Sequence, residues 1–275
     1  MATKLIPATA GQWVDFRNSG KPLSWYQAVK AQGVVGVFID SATGGYGTDV
    51  DYALWAGLQV QLFQGYYDVM WDSVRTATSQ GHRMVTAAQY VKSPQGMTCW
   101  LDAEGMPSGM SGTAWLDWVN AWSQIVNQAG YNGGIYLSGT YPVTSAQLYT
   151  DLPYIHHYWH GISAMTPPVA TRGYTVSQNQ VNVGLDGHVV DWDTVYPDKL
   201  HQLPFAMVDD AVRQSPSVTA TPTGTAATDL SREVATLQKA VVSLNTQVQG
   251  HGQALTVIQG ALTDLVKAVA AIKLP

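Results

Sequence analysis

Residues 34–67 read VVGVFIDSATGGYGTDVDYALWAGLQVQLFQGYY. Two short apolar runs, Val34–Ile39 and Val60–Tyr66, flank a segment, Asp49–Ala56, whose apolar residues recur at helical spacing. Gly57 stands just past that segment, where glycine commonly ends a helix. Strand, helix and strand in this order predict parallel strands joined by a crossover.

The alternation continues on both sides. Further strands are expected at Gln12–Phe16, Thr98–Ala103, Gly134–Leu137, Tyr154–Tyr158, Tyr174–Gln178 and His188–Asp191. Helices are expected at Leu23–Gln32, Ser73–Val91, Gly112–Ala129 and Thr144–Leu152. Eight such strands close a barrel, so the fold class is α/β: a (β/α)8 (TIM-like) barrel over residues 1–205, irregular after Leu152 where loops replace clear helices. Trp115, Trp118 and Trp122 share helical spacing and are expected in the core.

After the barrel the composition changes. Residues 206–229 include SPSVTATPTGTAATD, which has little to bury and reads as a linker. From Leu230 to Ile272 apolar residues follow in steps of four and three, through Val234, Leu237, Val241, Leu255, Ile258 and Leu262. That is a heptad seam, and residues 230–273 are expected to form a coiled-coil stalk. Later repeats place Ile at d, and Ala240, Ala254, Ala261 and Ala268 flank the seam without charges, which points to a homo-oligomer, a parallel trimer over a dimer. Gly250, His251 and Gly252 interrupt the seam, yet the stepping stays in phase across them, as one continuous helix requires and a hairpin does not.

Composition excludes several classes. A net charge of -5 with 12% charged residues offers no basic stripe for phosphates, so nucleic acid is not an expected partner. No apolar run is long enough to cross a bilayer, and the N-terminus lacks the basic start and apolar stretch of a secretory leader, so neither membrane insertion nor signal-directed export is expected. The single cysteine, Cys99, excludes disulfides within the chain and thiolate zinc sites. His156, His157 and His160 alternate on a strand and do not converge, so no metal or other cofactor is expected. Trp and Tyr, at 10 and 14, far outnumber Phe at 4, and such rings both pack and hydrogen-bond.

Four acids end three apolar runs: Asp15 in QWVDF, Asp102 and Glu104 in CWLDAEG, and Asp191 in HVVDWD. Strand ends are where parallel barrels carry chemistry, and the two-residue spacing of Asp102 and Glu104 puts both on one face. Glycoside hydrolysis needs one protonated and one ionised carboxyl, and crowded acids supply both states at one pH. The bland alternative is that these acids merely cap loops.

From Gln12 to Tyr196 the order WVDF, VGVFID, CWLDAE, GGIYLSG and SQNQVNVGLDGHVVDWD resembles the family-25 lysozymes of the glycoside hydrolases, and the related barrels of bacteriophage and actinobacterial proteins. The resemblance implies that Glu104 is the proton donor and that Asp102 positions the substrate's acetamido group or steadies developing charge. It places Asp15 and Asp191 with them in the catalytic set. It further implies that Tyr66, Tyr67, Tyr136 and Gln178 line a sugar cleft. The sequence departs from the family in VDFRNSG after the first strand, in Val176 and Ser177 where a tryptophan is usual, and in Asp193, a substrate-side position where asparagine is usual.

Two functions follow as expectations. In one the chain is a phage virion protein, of minor tail or fibre type, whose barrel binds and hydrolyses bacterial cell-wall glycan at the host wall beside other virion proteins. In the other the same barrel is a structural or adhesive module of the virion without turnover.

Overall fold

The computed structural model describes residues 2–65, 73–104, 107, 109–162, 169 and 171–210. The chain divides into two compact units, Met1–Pro216 and Ser217–Pro275. The heptad seam and residues 211–229 of the linker lie outside the described residues, as do Tyr66 and Tyr67.

The first unit is a closed eight-strand mixed barrel. Its strands are β2 (Gly11–Phe16), β3 (Gly36–Asp40), β4 (Gln59–Gln64), β5 (Thr98–Asp102), β6 (Asn132–Leu137), β7 (Ile155–His160), β8 (Val176–Leu185) and β9 (His188–Val195), and pairing of β4 with β5 closes the ring. Strands β2 through β8 run parallel, whereas β9 runs antiparallel to both β8 and β2. The expected eight parallel strands are therefore seven and one reversed. The reversal comes from Asp186 and Gly187, both at positive φ (47° and 79°), which form a two-residue hairpin turn between Leu185 and His188.

Outside the ring, β1 (Thr3–Pro7) pairs antiparallel with β10 (Phe205–Asp209), and Met207 of β10 pairs with Val60 of β4. The sheet thus continues through Asp209, four residues into the stretch that composition alone assigned to the linker. Five helices lie among the described residues: α1 (Leu23–Ala31), α2 (Tyr46–Trp55), α3 (Val74–Tyr90), α4 (Gly112–Gln128) and α5 (Ser145–Thr150). Hydroxyl caps start the last three: Ser73 and Ser111 accept from Thr76 N and Ala114 N, and Thr144 and Gln147 form a capping box.

Strand alternation separates two apolar cores. Val14, Val37, Leu62, Leu101, Ile135 and Tyr158 point outward onto the helices, where Trp115, Trp118 and Trp122 of α4 also pack. Trp13, Phe38, Phe63, Trp100, Tyr136 and Trp159 point inward and fill the barrel with rings. Two glycines make that filling possible: a Cβ at Gly36 would stand 2.6 Å from the Trp13 ring, and one at Gly134 2.5 Å from the Trp100 ring. The rings stop short of one end of the barrel, and polar side chains take over there.

Candidate functional site

At the end where the parallel strands finish, a cleft of ≈ 460 Å³ opens, and all four predicted acids line it, together with Tyr136 and Gln178. Asp15 is the third inward residue of β2 counted from Gly11, following Trp13 by two, so the parity that buries the indole brings the carboxyl to the cleft floor. Asp102 is the last residue of β5, two beyond the inward Trp100. Glu104 follows in a turn, where its backbone N–H donates to Asp102 Oδ1 at 3.0 Å. Asp191 reaches the same mouth for the opposite reason. It lies near the start of β9, and because β9 is reversed, its start lies where its neighbours end.

Asp193 departs from the expectation that it meets ligand. It is fully buried, does not line the cleft, and lies one inward position deeper than Asp191. Trp159 Nε1 donates to its Oδ1 at 2.8 Å. His188 also stands away from the cleft lining, with its ring edge-on to Trp25.

A hydrogen-bonded chain ties the acids together. Gln178 Nε2 donates to Asp15 Oδ2 at 3.1 Å and to Asp191 Oδ2 at 3.2 Å, which turns its Oε1 to the Tyr136 hydroxyl at 2.9 Å. That hydroxyl also lies 3.3 Å from Glu104 Oε1. Asp191 Oδ1 accepts from Asn182 N at 2.6 Å, at a bulge in β8 where Asn182 itself takes a positive φ.

Sequence reasoning missed Arg17. Its guanidinium Nη2 lies 3.0 Å from Asp102 Oδ2 and 3.5 Å from Glu104 Oε2, so one cation bridges the D-x-E pair and offsets its like-charge repulsion. The signal was available: Trp13, Asp15 and Arg17 share one parity, so a strand that points Asp15 into the mouth carries Arg17 to its rim. Sequence reasoning also missed the apolar side of the cleft, where Ile162, Val181 and Val189 stand well exposed beside the acids. Among the described residues no group of three or more metal-ligating side chains is placed to hold an ion.

Burial sets the proton affinities. Loss of water chiefly, then repulsion from Asp191, pushes Asp15 from 3.8 up to about 7. Burial also raises Asp191, against the Asn182 hydrogen bond and Arg17, which pull it back. Asp193 is held well above the ordinary carboxylate range by burial first and by Asp15 next. A carboxyl whose folded pKa is raised binds its proton more tightly folded than unfolded, so its contribution to stability is present below the unfolded pKa and is lost as pH rises through the folded one. For Asp15 that window runs from about 4 to about 7. Asp15→Asn is therefore expected to stabilise the barrel by up to about 4 kcal/mol at pH 8 and by almost nothing at pH 4, measured by urea unfolding at both. Equal effects at the two pH values would contradict the raised carboxyl.

No family model matches this chain, and no curated protein matches it. Among solved structures it is similar to the Tat-secreted protein Rv2525c of Mycobacterium tuberculosis in complex with L-tartrate, with a TM-score of 0.52 and 12% identity over 70% of this chain and 99% of that one. That likeness is one of fold: the closed barrel recurs. The chain is also similar to the modular autolysin LytC of Streptococcus pneumoniae in complex with synthetic peptidoglycan ligand, with a TM-score of 0.47 and 14% identity over 68% of this chain and 47% of that one. A third similar structure is the catalytic domain of endolysin ply40 from bacteriophage P40 of Listeria monocytogenes, with a TM-score of 0.42 and 14% identity over 68% and 93% of the two chains.

Proposed function

We propose that the barrel is a glycan-binding module of the family-25 lysozyme type that takes bacterial cell-wall glycan in its acid cleft and cleaves it with Glu104 as proton donor. The observation that supports this reading most is convergence: Asp15, Asp102, Glu104 and Asp191, spread over 177 positions of sequence, line one cleft with Tyr136 and Gln178 between them. In this mechanism Glu104 passes its proton to the glycosidic oxygen as the C–O bond breaks. Asp102, next to it, steadies the positive charge that develops on the sugar. Water then supplies the hydroxyl, and its proton returns to Glu104. The inward rings of Tyr136 and Trp159 at the cleft floor suit the apolar face of a pyranose.

For Glu104 to act, its contact with Arg17 must open. That contact is the longer of the two Arg17 makes, at 3.5 Å against 3.0 Å to Asp102, and the Arg17 side chain is 57% exposed, so an entering glycan displaces the guanidinium from Glu104 while Asp102 keeps it. The same clamp favours the second reading, adhesion without turnover, if the pair stays closed. Incubating the full chain with purified cell walls, and measuring both reducing ends released and protein retained on the pellet, separates the two. Release means hydrolysis, retention without release means adhesion, and the absence of both overturns the glycan reading.

The proposal extends to a virion setting, in which a stalk formed by residues 230–273 gathers several barrels at the host wall and makes weak sugar contacts effective. Its support is the heptad stepping from Leu230 to Ile272, which stays in phase across the interruption at Gly250, His251 and Gly252. Truncation after Asp229 is expected to convert a trimer into a monomer by light scattering, and trimers that persist in the truncated chain would remove the stalk's role.

A further inference from the structure

A second pocket, of ≈ 420 Å³, opens where the parallel strands begin, at the end of the barrel away from the acids. Its volume falls within the roughly 300–1,000 Å³ of small-molecule sites. Asn132, the first residue of β6, and His156 and His157, the second and third of β7, line it together with Gln202. Pro7, Leu203 and Phe205 supply its apolar lining. Strand alternation alone would turn His156 and His157 to opposite faces. A bulge overrides it: Gly133 pairs with Ile155 and Gly134 with His157, so His156 is an extra residue with no counterpart on β6, and both histidines line the one pocket.

The walls are fixed by bonds among themselves. Arg172 Nη2 donates to Gln202 Oε1 at 3.0 Å and Nη1 donates to the His156 carbonyl, so one guanidinium ties β7 to the 198–202 loop. Asp198 Oδ1 holds that loop, accepting from Leu200 N and Gln202 N at 2.9 Å each. These bonds leave particular atoms over. A guanidinium only donates, so Gln202 turns its oxygen to Arg172 and keeps Nε2 as a spare donor. Asn132 Nδ2 donates to Gly96 O at 2.8 Å, which leaves Oδ1 as a spare acceptor. His157 is 3% exposed, and its Nδ1 has no hydrogen-bond partner among the described residues. Burial chiefly, then Arg172, pushes that imidazole down to about 3, so it stays neutral.

The chemistry of the lining selects the ligand. Among the described residues no carboxylate, ammonium or guanidinium lines the pocket, and the histidines are not placed to hold an ion together, so an uncharged organic molecule fits it. A spare donor, a spare acceptor and a neutral imidazole are all met by hydroxyl groups, which donate and accept alike. An apolar wall with one aromatic ring suits the C–H face of a sugar. We propose that this pocket is a second ligand site that takes an uncharged saccharide, with ring hydroxyls on Gln202 Nε2, Asn132 Oδ1 and His157 Nδ1 and the C–H face against Phe205. The site is separate from the acid cleft and stands whether or not that cleft cleaves glycan.

The full chain, labelled with 15N at histidine, is titrated with methyl glucoside and with methyl N-acetylglucosaminide while the imidazole signals are followed by NMR, as wild type, Gln202→Glu and Glu104→Gln. Wild type is expected to show a saturable shift of the His157 signals with at least one of the two sugars, and none with glycerol at the same concentrations. Gln202→Glu keeps an oxygen for Arg172 and replaces the spare donor with an acceptor, so the dissociation constant rises by at least about tenfold. Glu104→Gln, in the cleft, leaves that constant unchanged. The comparison of sugars with glycerol on wild type keeps the proposal testable should Gln202→Glu fail to fold. A His157 signal that neither sugar moves, an equal response to glycerol, or an unchanged constant in Gln202→Glu overturns the site. A response lost in Glu104→Gln assigns the sugar to the cleft and overturns it as well.

Discussion

Glu104→Gln is expected to lower the release of reducing ends from purified cell walls by at least about 100-fold, the low end of what a positioned general acid contributes. The amide has the shape of the acid and no proton to give. The Tyr136 hydroxyl, 3.3 Å from Glu104 Oε1, still finds an acceptor there, so the side chain keeps its orientation. What the fold loses is the Arg17 contact at 3.5 Å, between a half-exposed guanidinium and a side chain 36% exposed. Pairs of that kind contribute about 0–1 kcal/mol, so the melting curve should hardly move. A large fall in rate with an unchanged melt is the signature of lost chemistry; a fall in both would mean that Glu104 holds the cleft together. Asp117→Asn, on the exposed face of α4, serves as the control that changes neither. Undiminished release by Glu104→Gln would remove it from the mechanism.

How far the site was legible in the sequence depends on what kind of signal each residue carries. The parallel strands and all five helices announced themselves by period, because each buries one face and must repeat at 2 or 3.6 residues to do so. Asp15, Asp102 and Glu104 were found because an acid closing an apolar run breaks the pattern at a predictable place, the end of a strand. Asp191 was found for an incomplete reason, since it ends an apolar run but begins near the start of a reversed strand. Asp186-Gly187, a short hairpin signal, marked that reversal and was passed over because the apolar runs on either side resemble two more strands of a parallel barrel. β1 and β10 were missed because five-residue strands, one ending in Pro7, carry too few repeats of any period. Parity along β2 could have placed Arg17 at the rim, but not its partner: Asp102 lies 85 positions away, as Trp159 lies 34 from Asp193, and no local spacing encodes a contact across the barrel.

Trp159 is where the fold and the site depend on one side chain. Its ring centroid lies 4.3 Å from Phe38, 5.0 Å from Tyr136 and 5.6 Å from Trp100, and its indole N–H is the donor to Asp193 Oδ1 at 2.8 Å. Trp159→Ala leaves a void that rigid neighbouring rings cannot fill, and is expected to cost about 3–5 kcal/mol, which lowers the melting temperature by roughly 10 °C in a domain of this size. Trp159→Phe separates packing from hydrogen bonding. It keeps an aromatic ring in the barrel and deletes the donor, leaving neither oxygen of Asp193 with an N–H to accept. Losing that donor leaves a buried acceptor unsatisfied, at a cost of about 1–3 kcal/mol beyond the change in packing. Urea unfolding of both variants checks the argument. If Trp159→Phe costs nothing, the indole serves the barrel by its volume alone.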